Sequence, residues 1–239
     1  MSNAVYRTVI AAIAGAVVLC GCTRRQPSPP PANASISAPV AAADPRPPAA
    51  ERCPAALVEI GESAAVVFEN ARALNWGEAS ATGQALYESA ATLSVSALPP
   101  DLAARLKSRV AYLRRSVKAA DCVRSMDAAN SITHVVADIC SPYESQIPYK
   151  IVLLDYYGRQ LELGLVASRP STIKRATADL RQTWRSVERS VLQHGGVDDA
   201  RRFTDIVVQI DGAQRPADLV APVRAELAAV ARLKKIFTP

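Results

Sequence analysis

Apolar positions recur at three- and four-residue steps through most of the chain beyond residue 54. Leu57, Ile60, Ala64, Val67 and Ala71 form one series. Leu102, Leu106, Val110, Leu113 and Val117 form a second, which Ile132, Val136 and Ile139 continue. Ile151, Leu154, Gly158, Leu161 and Leu165 make a third, extended by Ile173, Ala176, Leu180, Trp184, Val187 and Val191. Leu219, Val223, Leu227, Val230 and Leu233 close the chain. Such spacing puts one apolar stripe on a helix, because about 3.6 residues complete a turn. No segment alternates apolar and polar residues between hairpin glycines. The pattern therefore predicts an all-α domain.

Turn residues set the boundaries. Pro99-Pro100-Asp101 ends one helical segment and caps the next, Ser141-Pro142 to Pro148 forms a loop, and Gly195-Gly196 is a C-terminal stop. Four segments of similar length result, at 54–97, 102–140, 149–194 and 198–236. Three carry a break near the middle, at Trp76-Gly77, Arg169-Pro170 and Arg215-Pro216, and the second bends near Asp121. Short loops favour antiparallel neighbours. The expected architecture is an elongated up-down four-helix bundle with kinked helices, and the alternative is a globular bundle of about eight shorter helices. The equal lengths come with no residue-level repeat.

Upstream of residue 51 the pattern changes. Gln26 to Ala50 holds eight of the chain's 17 prolines, with Ala and Ser between them. Such a stretch cannot bury a core and tends to extended polyproline II, at about 3.1 Å per residue. Before it, Val9 to Val18 is apolar and uncharged behind the single cation Arg7. About ten apolar residues are too few to cross roughly 30 Å of hydrocarbon, so the run suits the core of an export signal. The division expected is 1–21 signal peptide, 22–50 tether and 51–239 folded domain.

Leu19-Cys20-Gly21-Cys22 resembles the lipobox of bacterial lipoproteins. The resemblance implies transfer of diacylglycerol to the Cys22 thiol, cleavage before Cys22, and acylation of the new amino group with a fatty acid such as palmitate. Cys20 stands where Ala, Ser or Thr is commoner, and it is small enough for the position. In lipoproteins of this class an Asp after the cysteine favours the inner membrane; Thr23 stands there, which points to the periplasmic face of the outer membrane. A triacylated cysteine anchors durably without a transmembrane helix. The bilayer, reached through Cys22, is thus the first expected partner and an envelope protein the second. No cofactor is expected beyond the covalent lipid.

The charge of the full chain is +6, from 28 basic and 22 acidic residues. Setting aside Arg7, Arg24, Arg25, Arg46 and Asp44 leaves 24 and 21, so the folded part carries +3. Its cations stand singly or in pairs without interleaved aromatics, which argues against nucleic acid. Arg24-Arg25 suits contact with lipid headgroups.

Three cysteines remain after Cys22 is acylated, in an oxidising compartment. Cys122 and Cys140 on one helix would be about 27 Å apart and cannot bond. In an up-down bundle Cys53 starts the first segment at the end where Cys140 finishes the second. A Cys53–Cys140 disulfide is therefore expected, with Cys122 left as a small buried residue.

Catalytic motifs are absent: no H-x-x-x-H, C-x-x-C, E-x-x-H or G-x-S-x-G occurs, and there are two histidines, His134 and His194. His194 stands beside Gly195-Gly196, where an imidazolium suits the helix dipole. No catalytic residue and no metal ligand is assigned. The constellation that stands out is Asp155 and Arg159, four residues apart in the otherwise apolar run Ile151–Leu165. In the bundle the second segment passes them with Asn130, Thr133 and His134. These five residues form either a polar layer fixing helix register or a small-ligand or metal site around Asp155. The reading from sequence is a membrane-anchored envelope lipoprotein whose helical bundle acts as a non-enzymatic binding or structural module, with the ligand site as the alternative.

Overall fold

The computed structural model describes residues 52–93, 98–143 and 147–238. The expected signal at 1–21, Cys22 and the expected tether to residue 50 lie outside them. The described chain is all-α, in eight helices: α1 (Ala55–Arg72), α2 (Trp76–Thr92), α3 (Pro100–Lys118), α4 (Cys122–Cys140), α5 (Tyr149–Val166), α6 (Pro170–Gln193), α7 (Val197–Gly212) and α8 (Pro216–Ile236). Among the described residues no helix is long and apolar enough to cross a membrane.

Prolines open most of the helices. Pro100, Pro170 and Pro216 stand in the first turn of α3, α6 and α8, where the missing N–H has no intrahelical acceptor to lose. Asp121 caps α4, its carboxylate accepting from Arg124 N–H at 3.0 Å. At α8 the Asp218 carboxylate reaches back to the Arg215 N–H at 3.1 Å and to its guanidinium at 2.8 Å.

Each of the four expected segments holds two helices, and three of the four joints within them share a geometry, while Ala213 after α7 is extended. Leu74, Ala120 and Ser168 take left-handed conformations, with φ of 59°, 49° and 51°. After α1, Leu74 N bonds Ala71 O at 3.1 Å and Asn75 N bonds Asn70 O at 2.8 Å. The same two bonds follow α3 at Ala120 and Asp121, and α5 at Ser168 and Arg169. This is the Schellman closure, which satisfies the last carbonyls and turns the chain back. Gly195 ends α6 in the same way, at a φ of 84°. The chain therefore turns at 73–75, 119–121 and 167–169.

Two hydrophobic cores result. The first is built by α1 to α4, joined by Leu163 of α5, around Leu57, Ile60, Phe68, Leu113, Met126 and Ile132. The second is built by α5 to α8 around Ile151, Leu154, Leu180, Trp184, Phe203 and Leu233. In the first set α1 packs on α2 and α4, and α3 on α2 and α4; in the second α5 packs on α6 and α8, and α7 on α6 and α8. α4 packs on α5 and joins the two. The stripe read for α1 is fully buried at Leu57, Ile60, Ala64, Val67 and Ala71. Each buried leucine or isoleucine contributes roughly 1.5–3 kcal/mol of transfer free energy.

A disulfide joins Cys53, just ahead of α1, to Cys140 at the end of α4, with Cα atoms 5.3 Å apart. At the other end of the same pair, Cys122 opens α4 with its Sγ 3.3 Å from the Ala71 carbonyl that closes α1. The two helices therefore run antiparallel.

Candidate functional site: the polar seam between the cores

Polar side chains gather where the two cores meet. Asp155 and Arg159 sit one turn apart on α5, both buried, and Arg159 Nη2 lies 3.5 Å from Asp155 Oδ2. Lys234, from the last turn of α8, donates to the same carboxylate oxygen at 2.6 Å. Arg159 points toward α1: its Cζ is 5.0 Å from the centre of the Phe68 ring and its Nη2 is 4.0 Å from Glu69 Oε1. Cation–π contact and the flanking carboxylates offset the loss of water around a buried guanidinium. Nearby, Arg72 reaches Glu162 at 3.5 Å, a further link between α1 and α5.

The most deeply buried member is Glu226 on α8, which is fully enclosed. Its carboxylate lies against Gly158, where a Cβ would collide with it, so α5 and α8 can approach there only because position 158 has no side chain. Neither carboxylate oxygen has a hydrogen-bond partner among the described residues. Burial, and after it the nearby Asp155, push the Glu226 carboxyl well above the ordinary 4.5, while Arg159 and Lys234 pull the other way. A neutral acid here leaves three cations (Arg72, Arg159, Lys234) facing three anions (Glu69, Asp155, Glu162).

The five residues expected to form one cluster fall into two groups. Asp155 and Arg159 belong to the ionic centre. Asn130 meets α5 at its backbone, donating from Nδ2 to the Tyr156 carbonyl at 3.1 Å. Thr133 donates to Ala129 O at 3.4 Å within its own helix. His134 turns to the outer side of α4, where its ring stacks on Tyr156 with centroids 4.3 Å apart. There Asp138 is the hub: it accepts from Tyr149 Oη at 3.0 Å, lies 3.5 Å from Arg105 Nη1 and lies 3.8 Å from His134 Nε2. Burial, with Arg105 adding to it, holds His134 below the ordinary imidazole value of 6.5, and Asp138 opposes the shift. Tyr156 is pushed up to about 12, first by burial and then by Tyr157.

The remaining candidates have structural partners. His194 caps α6, with Nδ1 2.8 Å from Ser190 O and its ring against Phe237 at 4.7 Å. The Cys122 thiol is raised by burial first and then by Asp121 and Glu162, so it stays protonated and weakly nucleophilic. Among the described residues no three His, Cys, Asp or Glu side chains group as metal ligands. Asp155 itself is committed to Lys234 and Arg159. As a chemical arrangement the centre can hold helices in register and hold a proton on Glu226.

Glu226 and Lys234 were absent from the sequence reading, although Glu226 carries a signal. It lies three residues after Val223 and four before Val230, on the stripe itself, whereas Leu227 is only half-buried. Compared with known proteins, the chain matches no family model, and no curated protein and no solved structure matches it.

Proposed function

We propose that the chain is a lipid-anchored lipoprotein of the cell envelope, held at the periplasmic face of the outer membrane through Cys22, whose helical domain works by binding rather than by catalysis. The observation that carries the reading is the Cys53–Cys140 bridge between the start of α1 and the end of α4. Disulfides of this structural kind persist in oxidising compartments, so the bridge supports the export signal read at residues 1–21. The lipobox Leu19-Cys20-Gly21-Cys22 and the proline-rich stretch to Ala50 then describe an anchor and a spacer. The eight helices are read as two successive four-helix rings sharing the α4–α5 contact, with the ionic centre as a register device between them. Replacing Cys22 with Ser in the producing cell tests the address. The expected result is loss of labelling by a palmitate analogue and accumulation of the uncleaved precursor. Normal maturation with retention in the membrane fraction overturns it.

A further inference from the structure

A groove of about 640 Å³ lies over α4, on the outer side of the contact between the two cores. α4 packs on both α3 and α5, and Ser131, His134 and Val135 of α4 form its floor. Tyr156 of α5 closes one side and a face of α3 closes the other, with Arg105, Arg109 and Arg115 along it. That volume is the size of a disaccharide or nucleotide site.

α3 is strongly one-sided in charge. It carries Arg105, Lys107, Arg109, Arg114, Arg115 and Lys118 against the single acid Asp101. Three of these cations have partners in the fold. Arg114 lies 4.4 Å over the Tyr87 ring on the far side of the helix, Arg115 lies 5.9 Å from the Tyr112 ring, and Arg105 reaches Asp138 at 3.5 Å. Arg109 has no carboxylate partner among the described residues, and neither has Arg115. Arg105 and Arg109 are like charges one turn apart, an arrangement that destabilises an isolated helix. Ser108 and Ser131 line the same groove.

From Arg105 to Arg115 the face runs about 15 Å along the helix. One carboxylate offers two oxygens and satisfies a single guanidinium fork, whereas phosphates offer more acceptors and Arg matches them in a bidentate way. The geometry points to a binding site for a ligand that carries two or more phosphate groups on a body of sugar or nucleotide size. Arg105, Arg109 and Arg115 hold the phosphates, Ser108 and Ser131 donate to them, and the Tyr156–His134 stack flanks the body. The ligand is either soluble or the headgroup of a lipid. This inference names a ligand for the binding module proposed above and does not depend on the lipid address. A chain that binds phosphate yet escapes acylation defeats the earlier reading alone.

The test uses the full-length protein in an uncharged detergent, titrated calorimetrically with inorganic tripolyphosphate. Saturable one-to-one binding is expected, with Kd weakened at least tenfold in the double variant Arg109→Gln/Arg115→Gln. Arg114→Gln, on the other side of α3, is expected to bind as the parent does. Circular dichroism establishes that each variant is folded. Nanodiscs of cardiolipin, a lipid with two phosphates in its headgroup, separate the two sources: competition with tripolyphosphate assigns a lipid headgroup, and its absence, with nanodiscs of phosphatidylcholine as the blank, assigns a soluble ligand. No saturable binding, or binding that Arg109→Gln/Arg115→Gln leaves unchanged, overturns the inference.

Discussion

Lys234 Nζ lies 2.6 Å from Asp155 Oδ2, across 79 residues of sequence, and so fastens the last turn of α8 to the middle of α5. The carboxylate is nearly buried and the ammonium is one-third exposed. Removing Asp155 takes the carboxylate from Lys234 and leaves Arg159 with Glu69 alone, at 4.0 Å. Asp155→Ala is therefore expected to destabilise by about 2–3 kcal/mol, less than a fully buried pair because solvent screens Lys234. Lys234→Ala leaves Arg159 in place and should cost about 1 kcal/mol. Urea unfolding of the two variants checks the order; equal and negligible losses would refute it. Tripolyphosphate binding in the α3 groove should be unaffected by either change.

Glu226 makes stability depend on pH in a stated direction. Its folded-state pKa is raised, so between the ordinary 4.5 and that higher value the folded protein keeps a proton that the unfolded chain has released. Its contribution is present below 4.5 and is lost as pH rises through the folded value. Lowering of His134 works the other way, since the unfolded chain then binds the extra proton and stability grows up to pH 6.5. The comparison of parent with Glu226→Gln isolates the carboxyl. The variant should gain stability relative to the parent between pH 5 and pH 8, measured by denaturant unfolding at both. A difference that does not change with pH would show that the carboxyl titrates as it does in the unfolded chain.

The helix joints suggest a stabilising change. Ala120 holds a φ of 49° with a Cβ, a conformation that favours glycine by about 1–2 kcal/mol. Part of that gain is returned as unfolded-state entropy. Ala120→Gly should thus stabilise by roughly 0.5–1 kcal/mol, visible as a rise in melting temperature. A loss of stability would mean the joint is not left-handed.

Those joints also mark how far the sequence was legible. The apolar stripes, the segment limits and the all-α class follow directly from three- and four-residue spacing, and all five stripe positions of α1 are buried. The turns at Leu74, Ala120 and Ser168 were visible only as midpoints of long segments, because none of the three is the glycine that normally announces a left-handed cap. The polar seam was half legible. Asp155 and Arg159 declared themselves by interrupting an apolar run, and Asn130 faces α5 as the register implied. Glu226 was masked by Leu227 beside it, and Lys234 by its place in a basic C-terminal turn where helix-end cations are ordinary. The groove was unreadable because its arginines, on one helix, meet His134 and Tyr156 from two others.

Reducing the disulfide should expose its share of stability. Closing 87 residues between Cys53 and Cys140 restricts the unfolded chain by roughly 4–5 kcal/mol on the entropy model. Denaturation with and without reductant measures it, and non-reducing peptide mapping identifies the pair. A Cys53–Cys122 link would place α1 and α4 parallel and contradict the fold.

The same bridge decides how the domain meets a pull from its N-terminal side. Tension carried along the chain to Cys53 does not peel α1 away turn by turn, because the sulfur bond passes it at once to the end of α4. α4 packs on α1, α3 and α5, so the force spreads into both cores before any helix frays. Under the lipid tether proposed at Cys22, such a domain would meet shear as a single bollard, and reduction of one bond would convert it into an unravelling rope.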